Sequence, residues 1–321
     1  MRIVFAGTPH PAVASLRAVA ASPHELVGVV TRSAAPVGRK RILTPSPVAA
    51  AATDLGVPVI TADRLDEDAT AAIAALEPDL GVIVAYGGLV REPLLSLPRH
   101  GWINLHFSLL PRWRGAAPVQ HALIAGDRTT GAAVFQLVPQ LDAGDVFAQL
   151  RYDVPSDQTA GDVLDVLADT GAQLVVEVIN GIADGSAVAT PQTGEPTLAP
   201  KLSLADGLLD FTLGADAVIN RFRGTTPEPG AHFSVNGQRV KVLAATRGPD
   251  TALAAGRLTM VERDVLVGTG EGTVRLATVQ PAGRGAMQAA DWWRGLRVDT
   301  LDADRADNHD GSDAATPGAD S

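Results

Sequence analysis

An amide, an imidazole and a hydroxyl occupy alternate positions at Asn104, His106 and Ser108. The run Gly101-Trp102-Ile103 before them predicts a strand, and residues two apart in a strand share a face. Asn104 and His106 would therefore point to the same side at the end of this strand. A basic loop bounded by prolines follows. This pattern suits a site that polarises a carbonyl group and holds an anionic or planar ligand.

A carboxylate at Asp142 could complete such a site. It follows a predicted strand at 132–138 and is two residues before Gly144. A carboxylate beside glycine usually marks only a turn, and polar residues at a strand end often satisfy loop backbone groups. If neighbouring loops bring Asn104, His106 and Asp142 together, the three would form a catalytic constellation. The sequence by itself leaves that juxtaposition open.

Other chemistries fit these residues less well. His106, His121 and Asp142 could be metal ligands, but their spacing matches no metal motif, so we expect no metal. Ser108 lacks the G-x-S-x-G context of a serine nucleophile. The segment Gly7-Thr8-Pro9 lacks the G-x-G-x-x-G fingerprint of dinucleotide-binding proteins and is better explained as a tight turn after the first strand.

A basic run, Arg39-Lys40-Arg41, lies in a loop framed by glycine and proline between a predicted strand and a predicted helix. A run of this size is usually a solvated surface loop. It could also reach a phosphate backbone, because lysine and arginine supply most phosphate contacts to nucleic acids.

Short apolar runs alternate with helical patterns in the first half of the chain. The predicted strands are 2–6, 26–31, 58–61, 80–85 and 101–105, and the predicted helices are 11–21, 47–55, 66–76 and 159–183. This alternation predicts an α/β domain with a Rossmann-like, mostly parallel sheet and helices on both faces. Ligands bind beyond the carboxyl ends of strands in such sheets, which is where Asn104 and His106 fall.

The second half has a different pattern. Asn236-Gly237 between two alternating runs predicts a hairpin, and further short alternating runs predict a small antiparallel, OB-like β-barrel. We therefore divide the chain into a catalytic domain at 1–184, a linker at 185–203 rich in Pro, Thr and Gly, a barrel domain at 204–300 and an acidic tail at 301–321 that is expected to be disordered.

The net charge of −10 conceals an uneven distribution. Residues 201–300 contain 12 basic and 10 acidic residues, so a local basic surface for nucleic acid is not excluded. The chain has no cysteine, which excludes disulfides and thiolate metal sites and accords with a reducing cytoplasm. We expect no signal peptide and no membrane-spanning segment.

Two motifs carry a family resemblance. Asn104–Pro111 reads N-x-H-x-S-L-L-P, and Asp142–Gly144 reads D-x-G. Over most of residues 1–300 the chain resembles the 10-formyltetrahydrofolate-dependent formyltransferases, whose members share both motifs. The extended stretch Ser108–Pro118, the loop Gly38–Pro47 and the second domain resemble the branch that acts on methionyl-tRNA.

The chain departs from the family pattern at two places. Position 107 is usually small in the family and is Phe107 here, and the segment after Gly7-Thr8-Pro9 is His10-Pro11 where the family often has an acidic residue and then Phe. Both differences concern the wall of the expected pocket and leave Asn104, His106 and Asp142 in place.

The resemblance implies transfer of a formyl group from 10-formyltetrahydrofolate to the α-amine of initiator methionyl-tRNA by a monomeric, cytoplasmic enzyme. Asn104 would donate a hydrogen bond to the oxyanion. His106 would donate a second one and move a proton, and Asp142 would orient His106 or take the proton itself. The residues expected at the folate are Tyr86, Gly87, Gly88, Leu89, Ser108, Leu109, Leu110 and Pro111. Those expected at the tRNA are Arg39, which would contact the acceptor stem, and Lys40 and Arg41.

Three alternatives stay open. A formyltransferase for a small amine, such as a sugar nucleotide, would share Asn104, His106 and Asp142 and dispense with the basic loop. A formyltetrahydrofolate hydrolase would use water in place of the amine. A tRNA-binding module that has lost activity is disfavoured, because all three catalytic positions are filled.

Overall fold

Side chains of β1 (Arg2–Gly7) alternate between two cores, one on each face of a central sheet. In the computed structural model, which describes residues 1–38 and 41–304, this sheet lies in a first unit comprising 1–123 and 127–201. The other strands described in this unit are β2 (Glu25–Thr31), β3 (Ala35–Val37), β4 (Ile42–Thr44), β5 (Val59–Thr61), β6 (Leu80–Val84), β7 (Trp102–His106), β8 (Thr129–Gln136) and β9 (Val146–Asp153).

The described strands of the sheet run in the order β5-β2-β1-β6-β7-β8-β9. Neighbours from β5 to β7 are parallel, and β8 and β9 are added antiparallel at one side. Strands β3 and β4 form a separate hairpin inside the stretch that was expected to be a basic loop. The hairpin escapes prediction because each arm has only three residues.

Helices cover both faces of the sheet. They are α1 (Pro11–Ala20), α2 (Pro47–Asp54), α3 (Glu67–Ala74), α4 (Pro118–Ile124) and α5 (Ala160–Asp184). Helices α1, α2 and α5 share a core with Ile3 and Phe5, whereas α3 packs with Val4 and Ala6 on the opposite face. This arrangement confirms the predicted fold class. Most element ends differ from the predicted ones by one or two residues.

Helix α5 is long and apolar enough to span a membrane by length and composition alone. Its N-terminus is closed by a capping box, in which the Thr159 hydroxyl accepts from the backbone of Asp162 and the Asp162 carboxylate accepts from the backbone of Thr159. One stripe, including Val163, Leu167 and Val175, is buried in the core, and the other is polar. The helix is therefore an amphipathic core helix of this unit.

The second unit comprises 124–126 and the residues from 202 onward. Its described strands are β10 (His232–Val235), β11 (Gln238–Arg247), β12 (Arg257–Val261), β13 (Asp264–Gly268), β14 (Thr273–Pro281), β15 (Met287–Gln288) and β16 (Thr300–Asp302), and its helices are α6 (Ala215–Gly224) and α7 (Ala289–Leu296). The strands form a nearly closed antiparallel barrel in the order β10-β11-β14-β13-β12-β16. The Asn236-Gly237 hairpin is confirmed, and both residues have the positive φ that such a turn requires.

The beginning of the expected acidic tail is structured. Leu301 pairs with Leu258 across β16 and β12, and the Asp304 carboxylate accepts from the backbone N–H groups of Asn236 and Gly237. The composition of the tail does not predict this order. The order comes from one apolar side chain, Leu301, and from the Asp304 carboxylate that caps the Asn236-Gly237 turn. The tail from residue 305 onward lies outside the described residues.

We expect Gly81→Ala to destabilise the first unit by about 1–3 kcal/mol, as overpacking of a filled core does. An added Cβ would lie 2.2 Å from the Trp102 indole, which is fully buried and donates to the carbonyl of Leu94. Urea unfolding followed by circular dichroism measures the loss. Gly285→Ala is the control, because nothing lies within 4 Å of its added Cβ. Equal stability of the two variants would contradict this account of the packing.

Candidate active site

Asn104 is the central residue of β7 and lies between β6 and β8 in the sheet, two residues before the carboxyl end of its strand at His106. Ile103 and Leu105 enter the core beneath α5, so the alternation turns Asn104 and His106 to the opposite face, as the sequence predicts. The Asn104 side chain is half-buried and lines a cavity. The structure gives it no hydrogen-bond partner among the described residues, so its amide is available to a ligand.

His106 is held by a hydrogen bond to a backbone carbonyl. Its ring is 5 % exposed, and its Nε2 is 2.8 Å from the carbonyl oxygen of Trp113. A carbonyl can only accept, so Nε2 carries the proton. In the neutral ring Nδ1 therefore presents a lone pair. This nitrogen lies 3.7 Å from Oδ2 of Asp142, which is too long for a hydrogen bond but close enough for a strong charge interaction.

Burial lowers the pKa of His106 below its ordinary value of 6.5, because desolvation disfavours the imidazolium. The Asp142 carboxylate and the Trp113 carbonyl act in the opposite direction, and burial outweighs both. The ring is therefore neutral at pH 7 and can accept a proton.

Trp113 adopts a left-handed backbone conformation, with φ of +61°, that costs an aromatic residue about 1–2 kcal/mol. Its partners hold it there. The backbone N–H donates to Thr197 Oγ1 at 2.9 Å, and the indole Nε1–H donates to Asp127 at 2.8 Å. The indole also stacks on the His121 ring. The strained conformation is what turns the Trp113 carbonyl to His106.

Asp142 also has a positive φ, +46°, and is 9 % exposed. Its Oδ2 accepts from the backbone N–H of Gly115 at 2.7 Å. Both glycines near it are required by close approach: a Cβ on Gly115 would lie 2.6 Å from the carbonyl oxygen of Ala199, and one on Gly144 would lie 1.7 Å from that of Gln136. The D-x-G motif is thus packed against the end of β8.

Residues 190–199, which lie in the expected linker, are hydrogen-bonded to the loops of the first unit. Thr190 pairs with Val146 in a short bridge, and Ala199 both donates to the Arg114 carbonyl and accepts from Ala117. We call this segment the strap. Its side chains Gln192 and Thr197 also contact the loops that hold Asp142 and Trp113. The sequence gives no periodicity from which this role could be predicted.

A cavity of about 650 Å³ opens beside Asn104, His106 and Asp142. Its wall comes mainly from segments 85–90, 104–107 and 137–142. The structure thus brings the three predicted catalytic residues together with Tyr86, Gly87, Gly88 and Leu89. The Tyr86 side chain is buried and its hydroxyl donates to the carbonyl of Ala62, so this residue anchors the loop. Phe107 is buried in the core and forms part of the cavity wall.

The turn Ser108–Pro111 is not part of this cavity wall, and its contact with folate stays a prediction. The Ser108 hydroxyl is fully buried and donates to the carbonyl of Arg112 at 2.6 Å, which also removes it from consideration as a nucleophile. Leu110 packs in a small core with Phe135. In the structure these residues shape the loop that carries Trp113.

The remaining candidates lie elsewhere. His121 donates to the carbonyl of Pro200, so it does not join His106 and Asp142 as a ligand set. Arg41 is exposed next to β4, followed by the exposed apolar side chains of Ile42 and Leu43, and it does not line the cavity. Arg39 and Lys40, predicted to contact tRNA, lie outside the described residues.

This geometry fits acyl transfer to an amine. Asn104 can donate to a carbonyl oxygen as charge develops on it, and a neutral imidazole beside a carboxylate can remove a proton from a nucleophile.

Comparison with known proteins decides the family. Residues 1–179 match the family described as formyl transferase, and residues 201–297 match the formyl transferase C-terminal domain. The chain belongs to the formyl transferase family. Among its relatives is a methionyl-tRNA formyltransferase of Leifsonia xyli subsp. xyli, 61 % identical over 92 % of this chain and 97 % of the relative. Another, of Clavibacter michiganensis subsp. michiganensis, is 59 % identical over 94 % of this chain and 100 % of the relative.

Solved structures share the fold of this formyl transferase. An N-formyltransferase from Helicobacter canadensis, solved with folinic acid and dTDP-3-aminofucose, aligns with a TM-score of 0.65. The alignment covers 85 % of this chain and 98 % of that one at 15 % identity, which supports the fold alone.

We expect Asp142→Asn to lower the pKa of His106 further, since it removes a charge that favours the imidazolium while burial remains. The asparagine carbonyl can still accept from Gly115. An NMR titration of the ring protons measures this, with the His106 signals identified by their loss in His106→Asn. Asp145→Asn, at an exposed neighbouring position, is the control. A pKa that rises or stays constant in Asp142→Asn would refute the charge interaction.

Proposed function

We propose that this protein transfers the formyl group of 10-formyltetrahydrofolate to the α-amine of initiator methionyl-tRNA. The observation that carries the proposal is the Asn104 amide, which has no hydrogen-bond partner among the described residues, beside a neutral His106 that faces Asp142. The names of full-length relatives near 60 % identity support methionyl-tRNA as the acceptor.

The cavity fits a folate co-substrate. Its volume falls in the range of about 300–1,000 Å³ that is usual for small-molecule sites. The loop at Tyr86–Leu89 exposes backbone next to apolar side chains, because Gly87 has a φ of +82° and Gly88 packs against the Tyr86 ring. Such a loop can read the polar edge of a pterin with backbone groups. When bound, the co-substrate supplies an activated formyl carbonyl.

Asn104 would donate its amide N–H to the formyl oxygen as negative charge develops there. His106 Nδ1 would take the proton from the attacking amine, and the imidazolium so formed would be stabilised by Asp142 at 3.7 Å. His106 would then give the proton to the folate nitrogen as the bond between that nitrogen and the formyl carbon breaks. In this assignment His106 is the base and Asp142 stabilises its charged form. In the neutral ring its single N–H is bound to Trp113, so the second hydrogen bond to the oxyanion must come from elsewhere.

Three further points concern the tRNA and the setting. We assign the hairpin of β3 and β4, with Arg39, Lys40 and Arg41, to the acceptor end of the tRNA, and the barrel unit to the rest of that molecule. We also propose that the protein acts as a monomer. Its charged-tRNA substrate would place it in the cytoplasm.

Incubation with 10-formyltetrahydrofolate and charged initiator tRNA tests the function, with formylmethionyl-tRNA detected by mass spectrometry. Formate release that does not require tRNA would favour the hydrolase, and formylation of an aminosugar nucleotide in place of tRNA would favour the small-amine enzyme. If no product forms with any acceptor, the result would favour a tRNA-binding module that has lost activity.

We expect Asn104→Ala to reduce kcat by about 10²–10³-fold while both substrates still bind, because one oxyanion donor is lost. Asn104→Asp, of the same shape, should be no better, since it replaces the donor with a negative charge. Single-turnover rates and equilibrium binding measure the two effects. Asn180→Ala, on the exposed side of α5, is the control. Near-normal turnover in Asn104→Ala would remove Asn104 from the catalytic assignment.

We expect Arg39→Ala to raise KM for tRNA and to leave KM for folate unchanged, because the contact proposed for this side chain is to a tRNA phosphate and not to folate. Steady-state kinetics at two salt concentrations measures this, since loss of a phosphate contact also weakens the salt dependence. Arg17→Ala on the exposed side of α1 is the matched control. An unaltered tRNA KM at physiological salt would count against the assignment of the hairpin.

A further inference from the structure

Gln192 in the strap joins two loops. One carries Asp142, and the other carries Arg114 and Gly115, whose N–H donates to the Asp142 carboxylate. Its Nε2 donates to the carbonyl oxygens of Asp142 and Gly144 at 2.8 and 2.9 Å. Its Oε1 accepts from Arg114, at 2.6 Å from Nη2 and 3.2 Å from Nε. A guanidinium can only donate and a carbonyl can only accept, so these partners determine the orientation of the amide.

We propose that Gln192 is a positioning residue for formyl transfer: it holds the Asp142 loop so that the carboxylate lies beside His106. The inference rests on the function proposed above. Gln192 does not itself line the cavity, and its hydrogen bonds go to Asp142, Gly144 and Arg114, so it acts on His106 through Asp142.

The Asp142 loop needs such support because its backbone is strained. A φ of +46° is unfavourable for a non-glycine residue, and conformations of this kind persist only when their surroundings impose them. The carboxylate accepts one hydrogen bond, from Gly115, and Arg114 is the residue before it. Gln192 therefore fixes both the donor loop and the acceptor loop of that hydrogen bond.

Gln192 meets two needs at this place, because its amide donates to two carbonyls and accepts from Arg114. An isosteric glutamate would keep the acceptor for Arg114 and set a carboxylate against the carbonyls of Asp142 and Gly144. An isosteric methionine would lose the contacts on both sides. The two variants thus separate the role of the amide donors from that of the side-chain volume.

The charges around His106 set the expected pH dependence. The described titratable group that faces the ring is Asp142. Arg114 is engaged with Gln192, and Asp127 with Arg112 and Trp113. If the carboxylate moves away, the imidazolium loses its stabilising charge and the acid limb of the kcat profile shifts to lower pH.

We expect Gln192→Met and Gln192→Glu each to reduce kcat by about 10–100-fold, the scale of a misplaced catalytic group, with both KM values unchanged. In Gln192→Met the acid limb of the pH profile should also shift to lower pH. Gln173→Met, on the exposed side of α5, should behave like the unaltered protein. Should Gln192→Met fail to fold, Arg114→Met, which removes only the Oε1 contacts, should show a smaller shift in the same direction.

Normal kcat in both Gln192 variants would overturn the proposal. So would a lower kcat that comes with a lower Tm and an unmoved pH profile, because that is loss of stability alone. If the unaltered protein forms no formylmethionyl-tRNA, the proposed function fails instead. The NMR titration of His106 in free Gln192→Met then still tests the positioning, since its pKa should fall whatever the substrate.

Discussion

The hydrogen bond from His106 Nε2 to the carbonyl of Trp113 is the interaction on which the site depends. It places the proton on Nε2 and leaves the lone pair on Nδ1, the nitrogen that lies 3.7 Å from Asp142. To make it, the chain must turn Trp113 into a left-handed conformation, which no feature of the loop alone would favour. The loop after β7 is therefore anchored by Asp127, by His121 and by Thr197 of the strap.

Burial and charge oppose each other at His106, and the balance suits a base. Burial keeps the resting ring neutral, so the lone pair exists before the substrate arrives. Asp142 gains little from a neutral ring, but it stabilises the imidazolium that forms when the proton is taken. An interaction that strengthens during the reaction lowers the barrier, whereas one of equal strength throughout does not. A directly hydrogen-bonded carboxylate would favour the charged ring from the outset.

The sequence predicts those parts of the molecule that repeat a simple period. Apolar runs that alternate with helical patterns predict the two-sided sheet. The period of two in β7 predicts the shared face of Asn104 and His106, and Asn236-Gly237 predicts its hairpin. The strap has no such period. Its role comes from hydrogen bonds of Gln192 and Thr197 to loops about 50–85 residues earlier in the chain, and a segment rich in Pro, Thr and Gly reads the same whether it is free or bound. The motif residues Ser108–Pro111 differ from the strap in the opposite way. They are easy to recognise in the sequence, but they support the loop that carries Trp113 and do not line the cavity.

A linker and a strap require opposite properties of the backbone. A linker must tolerate changes in its backbone, whereas the backbone of Ala199 is paired on both sides with the loop that bears Trp113. Residues 190–199 therefore form part of the catalytic unit, and the connection to the barrel begins after them. This has a consequence for Gly115. Its missing side chain admits the Ala199 carbonyl, and its N–H holds Asp142. One glycine thus closes the strap over the loop and fixes the carboxylate, so packing and chemistry cannot vary independently at this position.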